Sequence, residues 1–256
     1  MQQKEFLIYG KHAVFSALNN PKRVIKELIC LDNNYELRKF VETLLINKKI
    51  KIKYVSNRKF ENIIKKSVKH QGILARSHKL DIKDYLCIFD KKKNKEYNMR
   101  YGIILDRLTD PHNIGAIYRT AKAFGIDFIL NTNRNSLIEN NTILNTACGA
   151  FDTMETFITT NITKALKNFI SKGWWIIGLD HEANTNISNI IKKINTDDKV
   201  IFVFGSEGKG IRRLIKENCN FLVKIPNVPN TNSINVSNAV AIVSYEIFKM
   251  SNTSLN

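Results

Sequence analysis

Proline and glycine are scarce in this 256-residue chain, with 4 and 11 copies. That excludes a collagenous or low-complexity fibrous protein. Cysteine is sparse too. Cys30, Cys87, Cys148 and Cys219 lie far apart and none forms a Cys-x-x-Cys pair. They read as scattered reduced thiols, not as a disulfide framework. The five histidines, His12, His70, His78, His112 and His181, are just as dispersed. No Cys/His spacing suits zinc, and no metal is expected. No stretch approaches the roughly 18 apolar residues of a membrane helix; WWIIGL at Trp174–Leu179 is among the densest runs. The opening residues, MQQKEFLIYG, lack the basic and then apolar regions of an export signal. The expectation is a soluble, cytoplasmic protein without a membrane partner.

What is present is ordinary globular composition with an excess of one charge. Apolar residues make up 43% and charged residues 25%, which rules out wholesale disorder. The length allows one large domain or two modest ones. Lys and Arg total 40 against 23 Asp and Glu, a net charge of +17. Residues 1–99 hold 23 basic and 10 acidic residues, whereas residues 100–256 hold 17 and 13. The chain is also rich in Lys, Asn and Ile, as compositional drift produces. Drift acts on both parts alike, however, so the asymmetry favours a polyanionic partner bound mainly by the N-terminal part.

The polar run DKKKNKEYNMR, inside Ile82–Arg100, has no periodicity and reads as a linker. The expected layout is a small α/β domain over 1–79, a linker over 80–99 and a larger domain over 100–256. In the first, ELICLD (Glu27–Asp32), KIKYV (Lys51–Val55) and GILAR (Gly72–Arg76) read as strands. Tyr35–Lys49 has helical spacing at Leu37, Phe40, Val41, Leu44 and Leu45, and NRKFENIIKKSV reads as another helix. In the second, YGIILD, DFIL, WWIIGL, KVIFVFG and FLVKIP are near-continuous apolar strands separated by helical segments. That pattern predicts a mostly parallel sheet covered on both faces, with chemistry in the loops beyond the carboxyl ends of its strands.

Three of those loops stand out. In Asp106–Asp127, Asp110-Pro111 makes a turn, Asn113 is placed to cap the next helix, and Gly125 ends it. Arg119 falls within that helix among core-facing residues, Ile114, Ile117, Ala121 and Phe124. In IFVFGSEGKGIRRL, Gly205, Gly208 and Gly210 follow a strand, where glycine lets backbone approach a ligand. The spacing is neither the dinucleotide fingerprint nor a P-loop, and Glu207 argues against phosphate there. The third segment, Lys224–Phe248, is a polar loop leading into a helix. Val236, Ala239, Val240, Val243 and Ile247 form one apolar stripe on it, and Ile242, Tyr245 and Phe248 a second face. A helix apolar on more than one face is buried in the core or against a partner subunit.

NIGAIYRTAKAFG, then GSEGKG, then IP…SINVS…YE, in that order, resembles the three motifs of the SpoU (TrmH) family of RNA ribose methyltransferases. YGKHAVFSAL (Tyr9–Leu18) and HQGILA (His70–Ala75) are similar to the ends of the substrate-binding domain in the RlmB branch, so the resemblance covers nearly the whole chain. It implies an α/β fold: a parallel-sheet catalytic domain with a deep trefoil knot, preceded by a small α/β RNA-binding domain. It implies S-adenosyl-L-methionine bound at Gly205, Ile225 and Ile234. It implies a homodimer with the terminal helix in the interface and the active site shared between subunits. Its catalytic positions match Asn113, Arg119, Glu207, Ser233 and Asn235. Two departures stand in the third motif: Asn227-Val228-Pro229 where Met-x-Gly is usual, and Ile234 where Leu is usual.

The reaction implied is methyl transfer to a ribose 2′-hydroxyl, with a guanosine of 23S ribosomal RNA as the implied target and no DNA partner. The alternatives are a transfer-RNA ribose methyltransferase and a non-catalytic RNA-binding or ribosome-assembly factor.

Overall fold

A computed structural model of the chain describes residues 5–45, 50–64, 70–90, 99–132, 139–228 and 233–253. The chain divides into two compact units. The first comprises Met1–Asp81 and Glu139–Thr153, the second Ile82–Ile138 and Met154–Asn256. The linear reading gives no hint that 139–153 joins the first unit.

The first unit contains β1 (Glu5–Tyr9), α1 (Lys11–Asn19), β2 (Ile25–Leu31), α2 (Tyr35–Leu45), β3 (Lys51–Val55), α3 (Asn57–Ile64) and β4 (Ile73–His78). Its sheet runs β1-β4-β2-β3, with β2 parallel to β3 and the other pairs antiparallel. Phe60 of α3 packs on Ile29 and Leu74; burying such a ring stabilises by about 1.5–3 kcal/mol. In α2, Leu37 and Val41 are buried as the spacing predicts, but Phe40 is 41% exposed. The ends of the two predicted helices, at 46–49 and 65–68, lie outside the described residues.

The inserted segment contributes α5 (Asn141–Ala147) and α6 (Ala150–Thr153). It is fastened by a buried ionic cluster. Arg23 donates to Asp152 (2.6 Å) and to Glu139 (2.5 Å), and all three side chains are at most 2% exposed. Glu139 also accepts from the Leu80 amide at 2.9 Å. Burial pushes the Glu139 carboxyl up, against the pull of Arg23 and the Leu80 N–H, and the nearby Asp152 adds to the rise. Gly149, at φ 91°, lets α1 close in: a Cβ there would lie 2.0 Å from Ser16 Oγ.

The second unit adds β5 (Lys83–Asp84), β6 (Tyr101–Asp106), α4 (Pro111–Ala123), β7 (Phe128–Thr132), β8 (Glu155–Thr159), α7 (Ile162–Ile170) and β9 (Trp174–Leu179). It continues with β10 (Thr185–Asn186), α8 (Ile187–Ile191), β11 (Lys199–Gly205), α9 (Arg213–Lys216), β12 (Phe221–Lys224) and α10 (Val236–Thr253). The sheet order is β10-β12-β9-β11-β6-β7-β8-β5, and every pairing among the described strands is parallel. The expected parallel sheet is therefore present. Val200–Phe204 of the central β11 are all buried, as expected for a strand covered on both faces.

Part of the expected linker is instead fixed structure. Lys83–Asp84 pair with β8, and Tyr85–Phe89 form a 3-10 turn whose Tyr85 and Ile88 enter the core. The reason is local: YLCIF is an apolar run with the Asp84 carboxylate capping it through the Leu86 amide, 2.9 Å away. The charged run at 91–98 lies outside the described residues.

Candidate active site

The parallel strands β9, β11 and β12 end together at a cavity of about 380 Å³. Its lining combines Leu179 at the end of β9 and Asp180 just after it, Phe204 and Gly205 at the end of β11, and Val223 and Lys224 of β12 with Ile225 just beyond. The loop residues Glu207, Ser233, Ile234 and Asn235 complete the wall. This is the carboxyl edge of the sheet, where the sequence pattern places chemistry.

Three predicted site residues meet there. Asn113 Nδ2 donates to Glu207 Oε1. Asn235 Nδ2 donates to the same oxygen at 3.3 Å and to Asn113 Oδ1 at 3.2 Å. Asn235 is also the N-cap of α10: its Oδ1 accepts from the Ser237 amide at 2.8 Å and from Ser237 Oγ at 2.7 Å. Thus the start of α10, the first turn of α4 and the loop after β11 converge on one carboxylate. Gly205, Ile225 and Ile234 line the cavity, as does Ser233.

Two local expectations are corrected. Asn113 does not cap α4. Asp110 does, accepting from the His112 amide at 3.0 Å with Pro111 at the first helical position. That leaves the Asn113 side chain to reach across to Glu207. Nor does the glycine at 205 serve a ligand alone, although it lines the cavity. A Cβ there would lie 2.0 Å from the Gly210 carbonyl carbon, so the chain's own loop folds back into that space. The Ser206–Gly210 bridge closes the turn, with Gly210 N–H bonded to the Ser206 carbonyl at 2.9 Å. Glu207 accepts from two side-chain amides.

Arg119 stands elsewhere on α4. It is exposed and does not line the cavity. Six residues separate it from Asn113, which is roughly 9 Å along a helix and about 120° around it. Tyr118, fully buried and accepting from Asn131 Nδ2 at 2.9 Å and Thr156 Oγ1 at 3.2 Å, fixes the phase of α4 that turns Arg119 outward. Gly125, at φ 73°, follows the end of the helix as expected. Pro229 and Asn230, in the unusual part of the third motif, lie outside the described residues.

The residues present fit S-adenosylmethionine. The volume lies in the range of cofactor sites, and the walls are apolar at Phe204, Val223, Ile225, Ile234 and Val236. The polar lining includes Asp180, His181, Glu207 and Asn235. Among the described residues, no group of three or more His, Cys, Asp or Glu is arranged to hold a metal ion. No helix there is long and apolar enough to cross a membrane.

Residues 100–245 match the SpoU rRNA Methylase family. Residues 7–82 match the family described as RNA 2′-O ribose methyltransferase substrate binding. YacO of Bacillus subtilis (strain 168), which carries the name of a TrmH family tRNA/rRNA methyltransferase, is 29% identical over 98% of both chains. A Staphylococcus aureus (strain MSSA476) protein of the same naming is 31% identical over 96% of both. Among solved structures, the SpoU methyltransferase AviRb from Streptomyces viridochromogenes, in complex with AdoMet, superposes with a TM-score of 0.78 at 16% identity. That likeness covers 97% of this chain and 91% of AviRb. The chain belongs to the SpoU rRNA methylase family and is an RNA methyltransferase.

Proposed function

We propose that the protein transfers the methyl group of S-adenosyl-L-methionine to a ribose 2′-hydroxyl of RNA, with a guanosine of 23S ribosomal RNA as target, in the cytoplasm. The observation that carries this reading is the Asn113–Glu207–Asn235 cluster at the rim of the apolar cavity. A purely structural loop has no need of two amides held on one carboxylate beside a cofactor-sized space. The match of residues 7–82 to a substrate-binding family supports an RNA partner and the ribose as acceptor.

When bound, the cofactor supplies an electrophilic methyl group on a sulfonium. The chain's own part is to position the acceptor. Gly205, Ile225 and Ile234, which line the cavity, would hold the cofactor. Asn113 and Asn235 fix the Glu207 carboxylate, which orients the ribose, and Ser233 donates to it. Arg119 stays protonated, as guanidinium groups do. Its role is to hold the adjacent phosphate through its two-pronged donor face and to stabilise the alkoxide charge that develops as the ribose hydroxyl loses its proton to solvent. Alignment for in-line attack supplies much of the rate.

The second apolar face of α10 supports a homodimer with a shared site. Ile242, Tyr245 and Phe248 are 37%, 49% and 42% exposed, and Tyr245 and Phe248 contact the ring of Phe124 on α4. That face adjoins the helix bearing Arg119, so covering it with a second copy brings Arg119 into an interface instead of open solvent. The trefoil knot near the C-terminus is part of the same proposal.

The test uses purified protein, tritiated S-adenosylmethionine and ribosomal RNA from a strain lacking the enzyme, with transfer RNA in parallel. Label in 2′-O-methylguanosine of 23S RNA is the expected result. Label in transfer RNA alone overturns the target. No label in either, with the cofactor bound, overturns the catalytic reading.

A further inference from the structure

The loop that carries Glu207 is gripped from both sides. After Gly210 the chain enters the short helix α9, preceded by Arg212. The Arg212 amide donates to Asp106 Oδ2 at 3.1 Å, and its guanidinium reaches Asp106 Oδ1 through Nε at 2.9 Å and Nη2 at 2.7 Å. Asp106 is the last residue of β6, and its side chain is fully buried. Four residues on, Lys216 pairs with Asp180 Oδ2 at 2.5 Å. Asp180 directly follows β9, its side chain is 7% exposed, and it lines the cavity. Burial opposes charge on Asp180, but Lys216 and the Glu182 N–H hold its carboxyl below the ordinary range.

The sheet order gives these pairs their meaning. β6 and β9 are the two neighbours of β11, one on each side. The loop leaving β11 is therefore tied to a buried carboxylate at the end of each flanking strand, through two cations one helical turn apart. Breaking a buried pair by removing one partner leaves an uncompensated charge, so each tie resists displacement of the loop. We infer that Arg212 and Lys216 are positioning residues with separate tasks: Arg212 with Asp106 sets the loop that presents Glu207 to Asn113 and Asn235, and Lys216 with Asp180 sets the cavity wall. This rests on the proposed reaction only for its effect on rate.

The two ties have different neighbours and so different consequences. Arg212 ties the loop to the β6 end, from which the chain runs on to Asn113. Lys216 ties α9 to Asp180, which forms the cavity wall. Loosening the first displaces the reacting geometry; loosening the second opens the cofactor pocket. No pH-dependent step is needed.

The test compares Arg212→Gln, Arg212→Lys and Lys216→Met in the full-length protein. Arg212→Gln is expected to lower turnover at saturating RNA and cofactor by about 10- to 100-fold, the scale of a misplacement near 1 Å. Its Kd for S-adenosylmethionine, by calorimetry, should stay within about threefold. Arg212→Lys, which keeps the charge without the fork, should recover only part. Lys216→Met should raise that Kd by about five- to tenfold while turnover at saturation changes by less than about threefold. Hydrogen exchange gives a readout independent of activity: Arg212→Gln should speed exchange at the Gly210 amide. Equal shifts of Kd and turnover in Arg212→Gln and Lys216→Met would overturn the inference and indicate general destabilisation. So would unchanged protection at Gly210. A wild-type protein that transfers no label would count against the reaction alone, because the exchange measurement still decides the clamp.

Discussion

The two units of this protein differ in charge density. The first holds 18 basic and 9 acidic residues, the second 22 and 14 in a much longer stretch of chain. On the sheet of the first unit, charges form a ladder: Glu27, largely buried, pairs with Arg76 and Lys53, and the exposed Glu5 pairs with Lys26 and Arg76. Such exposed pairs contribute little stability in water. In the second unit, the ion pairs that matter bury their carboxylates at strand ends beside the cavity. Each unit also buries ionic contacts, the first around Arg23 and the second at the ends of β6 and β9; what differs is the first unit's larger basic excess for its length.

That contrast can be broken experimentally, and the largest effects belong to the second unit. Arg119→Ala and Glu207→Ala are each expected to lower methyl transfer by at least about 100-fold, on the scale of losing a group that stabilises the transition state. Cofactor affinity should stay within a few-fold for Arg119→Ala. Initial rates and calorimetry check both. If either variant retains full transfer, its assignment fails.

The next effect belongs to the first unit. Arg23→Met leaves Glu139 and Asp152 buried without their cation and should cost about 3–5 kcal/mol in denaturant unfolding. The same logic bears on truncation. Removing residues 1–79 also removes Arg23, so a truncated chain that transfers poorly has lost a structural partner of 139–153 as well as an RNA-binding surface. Restoring stability with Glu139→Gln and Asp152→Asn together would separate the two losses.

Glu139 makes the cluster pH-sensitive. Its folded pKa is raised, so between the unfolded and folded values the native state binds more protons. Its contribution to stability is therefore full below the ordinary carboxylate range and is lost as pH rises through the raised value. Glu139→Gln should abolish that slope in melting temperature against pH. A slope unchanged in the variant would assign the dependence to other groups. The smallest effect expected is at the exposed rim: Arg38→Gln removes a guanidinium 4.3 Å from the Tyr54 ring centroid and should cost about 0.5–1 kcal/mol.

Much of this architecture is legible in the sequence, for physical reasons. β6, β9 and β11 announce themselves because a parallel strand covered on both faces must be apolar throughout. Asn113, Glu207 and Asn235 are legible as motif residues, and the structure brings them together. What was not legible depends on distance along the chain. Arg23 and its two carboxylates lie 116 and 129 residues apart in sequence, so no local pattern links them. The strand β5 is two residues long and sits within a segment dominated by lysines. Asp106 and Asp180 read only as the ends of apolar runs. Their role appears once the order β9-β11-β6 sets them on either side of the Gly-rich loop. An acidic residue closing a buried strand, with Arg or Lys four residues apart after a Gly-rich loop, is the signal that was available.

The central claim is that the methyl group goes to a ribose oxygen and not to a base. Alkaline hydrolysis of tritium-labelled RNA product tests it most directly, because a phosphodiester next to a methylated 2′-oxygen lacks the hydroxyl that alkali uses to cleave it. The account predicts label in alkali-resistant dinucleotides, absent when Glu207→Ala replaces the wild-type protein. Label recovered in mononucleotides would place the methyl group on a base and contradict the account.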